Sequence, residues 1–580
     1  MRKITCLVSA AVAATLLTWA ALACAAPAAS IRAASTGDQN PAPGLLTAYL
    51  VGHVAAGMGD YTTAARDFDA VLARDPKNTH ALNEAFEVLA LSGGKDTLRV
   101  ARQLPHNPLA VMEVANADAA AGRWDQAGAA YASLPEQGAF ALMRPVLGAW
   151  CDAGAGRNLA AIHELQSAAA ASPLSGLYLL HAAMIADVAG RVEDATALYR
   201  QAQDQTSQAN LRFVLAQASF LARSGQLNTA RGMLTDLLGN VPQDRMALPR
   251  LEAGITAPLV SNPVQGIAEF YQAIGGALDN SSNGPMSQQS VELSRVFLQM
   301  AVGLRPDLTE ARLAAAAEDQ QSGRFDQALA MLAPVQPSDP LDALVRLARG
   351  TILDNLGETD QAVASLKQLA ADYPQYVEPD EVIGDIDRAH GRSADAVTAY
   401  DLAVQRRGNL GAQDWLLLFD RAMAFQDAGN WPAAETDLRT ALKLSPNQPD
   451  LMNFLGYTWA DQDRNLSQAR DLLERAVKLE PQNGAIIDSL GWVKFRQGDV
   501  ADAVATLETA VQMLPEDPDV NTHLGYAYEA AGRRLEARYQ WQYALTLNPT
   551  TQEAAQLRAK LASVEILSAA KPVGPEIKNY

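Results

Sequence analysis

Between Pro449 and Pro549 one pattern is written three times: "FLGYTWADQDRNLSQARDLLERAVKLEP" from Phe454, "SLGWVKFRQGDVADAVATLETAVQMLP" from Ser489 and "HLGYAYEAAGRRLEARYQWQYALTLNP" from His523. Gly456, Gly491 and Gly525 fall 35 and 34 residues apart, and Pro481, Pro515 and Pro549 are each spaced by 34. A unit this short cannot bury its own apolar face and must stack on copies of itself. The fixed period therefore predicts a helical solenoid.

The residue types make each unit a helical hairpin. Leu490 and Gly491 belong to a first helix, Gly498 follows its end, and Ala503, Leu507 and Ala510 mark one face of a second. Gly498 suits the left-handed conformation that ends a helix, and Pro515 stops the second helix because it has no N–H to donate. Small Gly491 and Ala503 let the two helices approach closely, so a bulky residue at either is expected to overpack the joint, at about 1–3 kcal/mol.

A glycine followed five residues later by alanine traces weaker copies. The first is "YLVGHVAAGMGDYTTAARDFDAVLARDP", with Gly52, Gly59, Ala64, Phe68 and Pro76 in the same places. The pair recurs as Gly122/Ala127, Gly190/Ala195, Gly225/Ala230, Gly323/Ala328, Gly357/Ala362, Gly391/Ala396 and Gly429/Ala434. Four residues past these alanines stand Tyr131, Tyr199, Leu234, Leu332, Leu366, Tyr400 and Leu438. Asn78 to Pro108 and Phe140 to Pro173 keep the length and helical pattern but miss part of the signature, and read as degenerate copies.

A small residue at place 8, Gly at 15, Ala at 20, a large apolar residue at 24 and Pro at 32 resemble the tetratricopeptide repeat (TPR) family. The frequent tryptophan at place 4 of that family is absent. The resemblance implies an all-α fold, a right-handed α-solenoid of about a dozen helix-turn-helix TPR hairpins, irregular in the middle, with a C-terminal capping helix. The expected organisation is an export signal at 1–26, a flexible tether at 27–44, a partly degenerate repeat block at 45–242 and an irregular helical joint between two arms at 243–308. A second repeat block at 309–549, a cap at 550–566 and a flexible tail at 567–580 follow. Within 243–308 the pattern predicts two helices, Gly266 to Leu278 and Gln289 to Leu304.

Arg2 and Lys3, the apolar run Ile4 to Leu22 and the small residues of "ALACAAPAAS" read as an export signal. In "Ala21-Leu22-Ala23-Cys24" the cysteine follows small residues, as in bacterial lipoprotein signals, although Ala21 replaces the usual leucine. Lipidation of Cys24 and cleavage at an adjacent Ala-x-Ala site are both open. Cys6 leaves with the signal, and Cys151, beside Trp150, reads as a buried small hydrophobe. With a formal charge of −19 the chain is unsuited to a nucleic-acid backbone and attracts basic surfaces instead.

No motif for chemistry is present. Gly94-Lys95 lacks the rest of a phosphate loop, and His53, His80, His106, His163, His181, His390 and His523 have no ligand spacing and read as surface or hairpin packing. The expectation is a non-enzyme without cofactor or metal. In the TPR family, places 2, 5, 9 and 12 of the first helices point into a concave groove. Carried onto the repeats from Trp415, Pro449, Gly484 and Pro518, they give Phe419, Met423, Asn453, Tyr457, Asp488, Trp492, Phe495, Thr522 and Tyr526. Rigid rings beside hydrogen-bonding groups suit a partner polypeptide. Self-packing of these residues, and binding elsewhere, are the alternatives. The layout also resembles bacterial envelope TPR lipoproteins. That resemblance implies a periplasmic or outer-membrane scaffold whose partners are envelope proteins, among them a carboxyl-terminal processing protease and cell-wall hydrolases. A component of a secretion or polysaccharide-export assembly is the other reading.

Overall fold

A computed structural model describes residues 43–206, 210–239, 243–280 and 288–569. The expected export signal, Cys24, the tether up to residue 42 and the tail from 570 lie outside the described residues. The described chain is helical throughout, without a strand, and falls into two compact units, Met1–Tyr373 and Pro374–Tyr580.

The tracer residues form one socket, built again in each repeat. Ala64 and Phe68, Ala127 and Tyr131, Ala362 and Leu366, Ala434 and Leu438, and Ala503 and Leu507 are all fully buried. The bulky member fills the space that the first-helix glycine leaves. A Cβ on Gly491 would lie 2.5 Å from Leu507, and one on Gly525 would lie 2.2 Å from the Trp541 ring. Alanine at place 20 is therefore only half of the close approach; the missing side chain at place 8 is the other half. Gly498 has φ +86°, the left-handed conformation that turns the chain between the helices Gly484–Arg496 and Val500–Met513.

Both degenerate copies are hairpins, Thr79–Ser92 with the short Thr97–Ala101, and Ala139–Gly154 with Asn158–Ala169. Cys151 is buried among them, and burial pushes its thiol up to about 12, as a core residue without reactivity requires.

The segment expected as a joint between two arms has another place. Its helices, Pro263–Asn280 and Gln288–Leu304, pack on each other and on the first helices of four N-terminal repeats, Thr79–Ser92, Pro108–Ala120, Ala139–Gly154 and Ser175–Val188. Ile267, Phe270, Tyr271, Ile274, Phe297 and Leu298 are buried there. Gly266 lies flat on the Trp150 indole, since a Cβ would come within 2.2 Å of it. Around this hairpin the unit closes on itself: Gln327 Nε2 donates to the Gly59 carbonyl at 3.2 Å, and the Arg324 guanidinium lies 5.6 Å from the Tyr61 ring centre. The hairpin is thus the inner filling of the N-terminal unit. The boundary between the units lies 69 residues beyond Leu304, after Tyr373.

Charged residues hold the filling in place. Glu269, 4% exposed, accepts from Arg212 Nε at 2.9 Å and from Arg305 Nη1 at 2.6 Å, while Arg212 Nη1 reaches Glu310 at 2.6 Å. Arg295 pairs with Asp319 and donates to the carbonyls of Ala315 at 2.8 Å and Leu91 at 3.2 Å.

Candidate concave binding wall of the C-terminal unit

Here no inserted hairpin covers the first helices among the described residues, and the predicted groove positions come together. Phe419 and Met423 are half-buried on Trp415–Asp427, Asn453 and Tyr457 on Pro449–Asp461, and Thr522 and Tyr526 on Pro518–Ala530. On Gly484–Arg496, Phe495 is half-buried, whereas Asp488 and Trp492 are only 5% and 7% exposed. The body of Trp492 therefore packs within the repeat stack.

Stacking between repeats turns these positions into a ladder. The Phe419 ring meets Phe454 edge-on at 5.4 Å. Trp492 lies parallel to His523 at 4.2 Å and to Phe495 at 5.0 Å, and Tyr526 rests 5.5 Å from Trp541, edge to face. Offset and edge contacts of this kind are the favoured aromatic geometries. His523 and Phe454 belong to the ladder although the predicted set omits them. Both stand at place 6 of their repeats, facing the preceding first helix.

Three of the predicted residues carry a buried polar atom without a protein partner: Asn453 Oδ1, Asp488 Oδ1 and Trp492 Nε1. Buried polar atoms are nearly always hydrogen-bonded, so two acceptors and a donor on one wall are left unsatisfied by the chain itself. The other carboxylate oxygen, Asp488 Oδ2, accepts from His523 Nδ1 at 2.8 Å. Burial opposes a charge on His523, yet the adjacent Asp488 carboxylate and the fields of Asp519 and Asp461 outweigh it and raise the imidazole above its ordinary range.

The N-terminal unit holds the same two places in a different chemical state. Trp150 and His181 occupy the positions of Trp492 and His523, but the residue matching Asp488 is Val146. Without a carboxylate, burial pushes His181 down to about 3, and its neutral ring accepts from Trp150 Nε1 at 3.0 Å. The hairpin covers that pair, with Phe270 against His181 at 5.4 Å. One register serves as core in the first unit and as a polar wall in the second.

The first repeat of the C-terminal unit extends the wall. Counted back from Gly391 the repeat starts at Val377, which puts Glu381 and Asp385 at places 5 and 9; Asp420, at place 6 of the next repeat, joins them. The predicted set left this repeat out, although Gly384 and Gly391 give its register. Asp385 is open to solvent and accepts from the Tyr400 hydroxyl at 2.5 Å. Burial and the neighbouring Glu378 push Glu381 up to about 7, and burial with Asp385 pushes Asp420 up to about 7. Arg388 is the cation whose field tempers Asp385 and Asp420.

Both carboxyls bind a proton more tightly folded than unfolded, where carboxylates titrate near pH 4. Between about pH 4.5 and 7 the folded state holds more protons, so stability falls as pH rises through this window. His523 acts in the same direction, its ion pair being lost at higher pH. Amide exchange in the helices Glu378–Ala389 and Trp415–Asp427 is expected to be slower at pH 5.5 than at pH 8, after correction for intrinsic rates. In Glu381→Gln/Asp420→Asn that difference should shrink; an unchanged difference would refute the assignment.

A sequence model described as tetratricopeptide repeat matches residues 152–210, 419–484 and 489–550, and one described as tetratricopeptide repeat-like domain matches 262–417. The chain belongs to the tetratricopeptide-repeat family. The TPR repeats make it a scaffold for protein–protein interaction. It is similar to TPR repeat-containing protein PA4667 of Pseudomonas aeruginosa, 32% identical over 186 residues, which are 31% of this chain and 30% of that protein. It is also similar to bacteriophage adsorption protein A of Escherichia coli, 32% identical over 124 residues, 20% of this TPR chain and 12% of that protein. The chain thus spans less than a third of the length of either relative. Among solved structures, the crystal structure of the APC/C hetero-tetramer Cut9-Hcn1 aligns at 15% identity over 90% of this chain and 96% of that one, with a TM-score of 0.35. Among the described residues no cluster of His, Cys, Asp or Glu is arranged to hold a metal ion, and no helix is long and apolar enough to cross a membrane.

Proposed function

We propose that this protein is a noncatalytic scaffold of the bacterial cell envelope that holds partner polypeptides on the concave wall of its C-terminal unit. The observation that carries this reading is the set of unpartnered polar atoms on Asn453, Asp488 and Trp492 beside half-exposed rings. The matching face of the N-terminal unit is largely covered by the chain's own hairpin. The export-signal pattern before Cys24 supports the envelope, as does the name of the E. coli relative, which concerns bacteriophage adsorption. A processing protease and its cell-wall hydrolase substrates are the partners that the layout favours.

A photo-crosslinking side chain at Met423 or Tyr526 of the full chain, irradiated in envelope extract, is expected to trap defined partners. The same group at Tyr539, 61% exposed on an outer helix, should trap none of them. Identical adducts at all three positions would overturn the wall as the binding surface. Recovery of neither a serine protease nor a murein hydrolase would remove the adaptor role. Mass spectrometry of the mature N-terminus decides between a lipid on Cys24 and simple cleavage.

A further inference from the structure

The scaffold reading leaves open what kind of polypeptide the wall accepts, and its charge answers that. We infer that the concave wall of the C-terminal unit selects an extended segment bearing lysine or arginine, read at two acidic stations separated by aromatic rungs. This deepens the proposed function and rests on it.

The first station is Glu381, Asp385 and Asp420, with Arg388 beside Asp385 and Asp420 and Arg407 beside Glu381. The second is Asp488 and Asp519, on the first helices two and three repeats further on, with Glu553 of the helix Thr551–Ala569 adding to their field. Between them run Phe419, Phe454 and Tyr457, whose faces suit the methylene stems of long cationic side chains. Within that station Asp488, 5% exposed and at a wall position, holds His523 through one carboxylate oxygen and keeps the other buried without a donor. An ammonium, a guanidinium or a backbone N–H supplies what that oxygen lacks.

The chain already sets one cation against this wall. Lys560 of the last helix pairs with Glu529 at 2.8 Å, and its ammonium lies 5.1 Å from the centre of the Tyr526 ring and 5.7 Å from that of Trp541. Carboxylate plus ring face is the combination that holds a cation in place. An acidic segment would meet six carboxyl groups with Arg388, Arg407, Arg496, His523 and Lys560 as the nearby cations. Like-charge contact of that kind excludes partners.

The probe is a fluorescein-labelled twelve-residue peptide in which lysine alternates with leucine and glycine, with versions carrying glutamine or glutamate in place of lysine. Anisotropy with the full chain is expected to show binding of the lysine peptide alone, weakening with added salt. Glu381→Gln/Asp420→Asn and Asp488→Asn/Asp519→Asn should each weaken it on the order of tenfold. Asp502→Asn, on the outer helix Val500–Met513, should leave it unchanged. Equal binding of all three peptides, lost in Trp492→Ala/Tyr526→Ala, would overturn cation selection and leave the scaffold reading intact. Binding of none would overturn the inference, while the scaffold reading would still be judged by its crosslinks. Circular dichroism of each variant separates lost contacts from lost folding.

Discussion

Replacing Glu269 by alanine is expected to destabilise the N-terminal unit by about 3–5 kcal/mol, because Arg305 would lose its buried counter-charge and Arg212 would keep only Glu310. Arg212 and Arg305 have side chains 11% and 14% exposed, and both point at this one carboxylate. Glu310 can still hold Arg212, so Arg305 bears the larger loss. Its remaining bond from Nη1 is to the Leu259 carbonyl at 2.9 Å. The effect should concentrate where the hairpin meets the repeats. Faster amide exchange is expected in Pro263–Asn280 and in the first helices Ala139–Gly154 and Ser175–Val188, with the helices of the C-terminal unit unaffected. Glu269→Gln, which keeps the shape and one acceptor, should lose less. A loss under about 1 kcal/mol for alanine would show that apolar packing alone seats the hairpin.

The repeat itself was legible because its grammar is local. Glycine at place 15, alanine at 20 and a bulky residue at 24 are demanded by contacts within one hairpin, so the sequence shows them wherever the hairpin is sound. The Gly156/Ala161/Leu165 triplet obeys the same rule in the repeat read as degenerate. The inner hairpin was not legible as such. Its two helices were expected, but Glu269, Arg295 and Arg305 look like a solvated face until Arg212, Glu310 and Asp319, distant in sequence, are seen to neutralise them. The wall was half-legible. Places 2, 5, 9 and 12 are carried over from the family resemblance, whereas place 6 matters only when the next repeat is stacked against it. That is why His523 and Phe454 escaped the predicted set, and why the burial of Trp492, set by His523, could not be read from its own repeat.

Trp541→Ala should be the costliest single change in the C-terminal unit, at about 3–5 kcal/mol, and the partner of its socket provides the sharper test. The indole is fully buried among Leu524, Ala537, Ala544 and Leu557, with Nε1 donating to the Thr522 carbonyl at 3.3 Å. It presses on bare Gly525, where an added Cβ would stand 2.2 Å from its Nε1. Gly525→Leu alone is expected to cost about 1–3 kcal/mol by overpacking. If one residue's bulk occupies the other's vacancy, the double variant Gly525→Leu/Trp541→Ala should be more stable than the two losses added together, by about 1 kcal/mol or more. Tyr526→Ala offers the contrast: its ring is half-exposed on the wall, so stability should change little while partner capture falls. Strict additivity in the denaturant midpoints of the Gly525/Trp541 cycle would mean that the helices are held apart by something other than this socket. In that case the small residue at place 8 would have to be explained by the helix backbone alone.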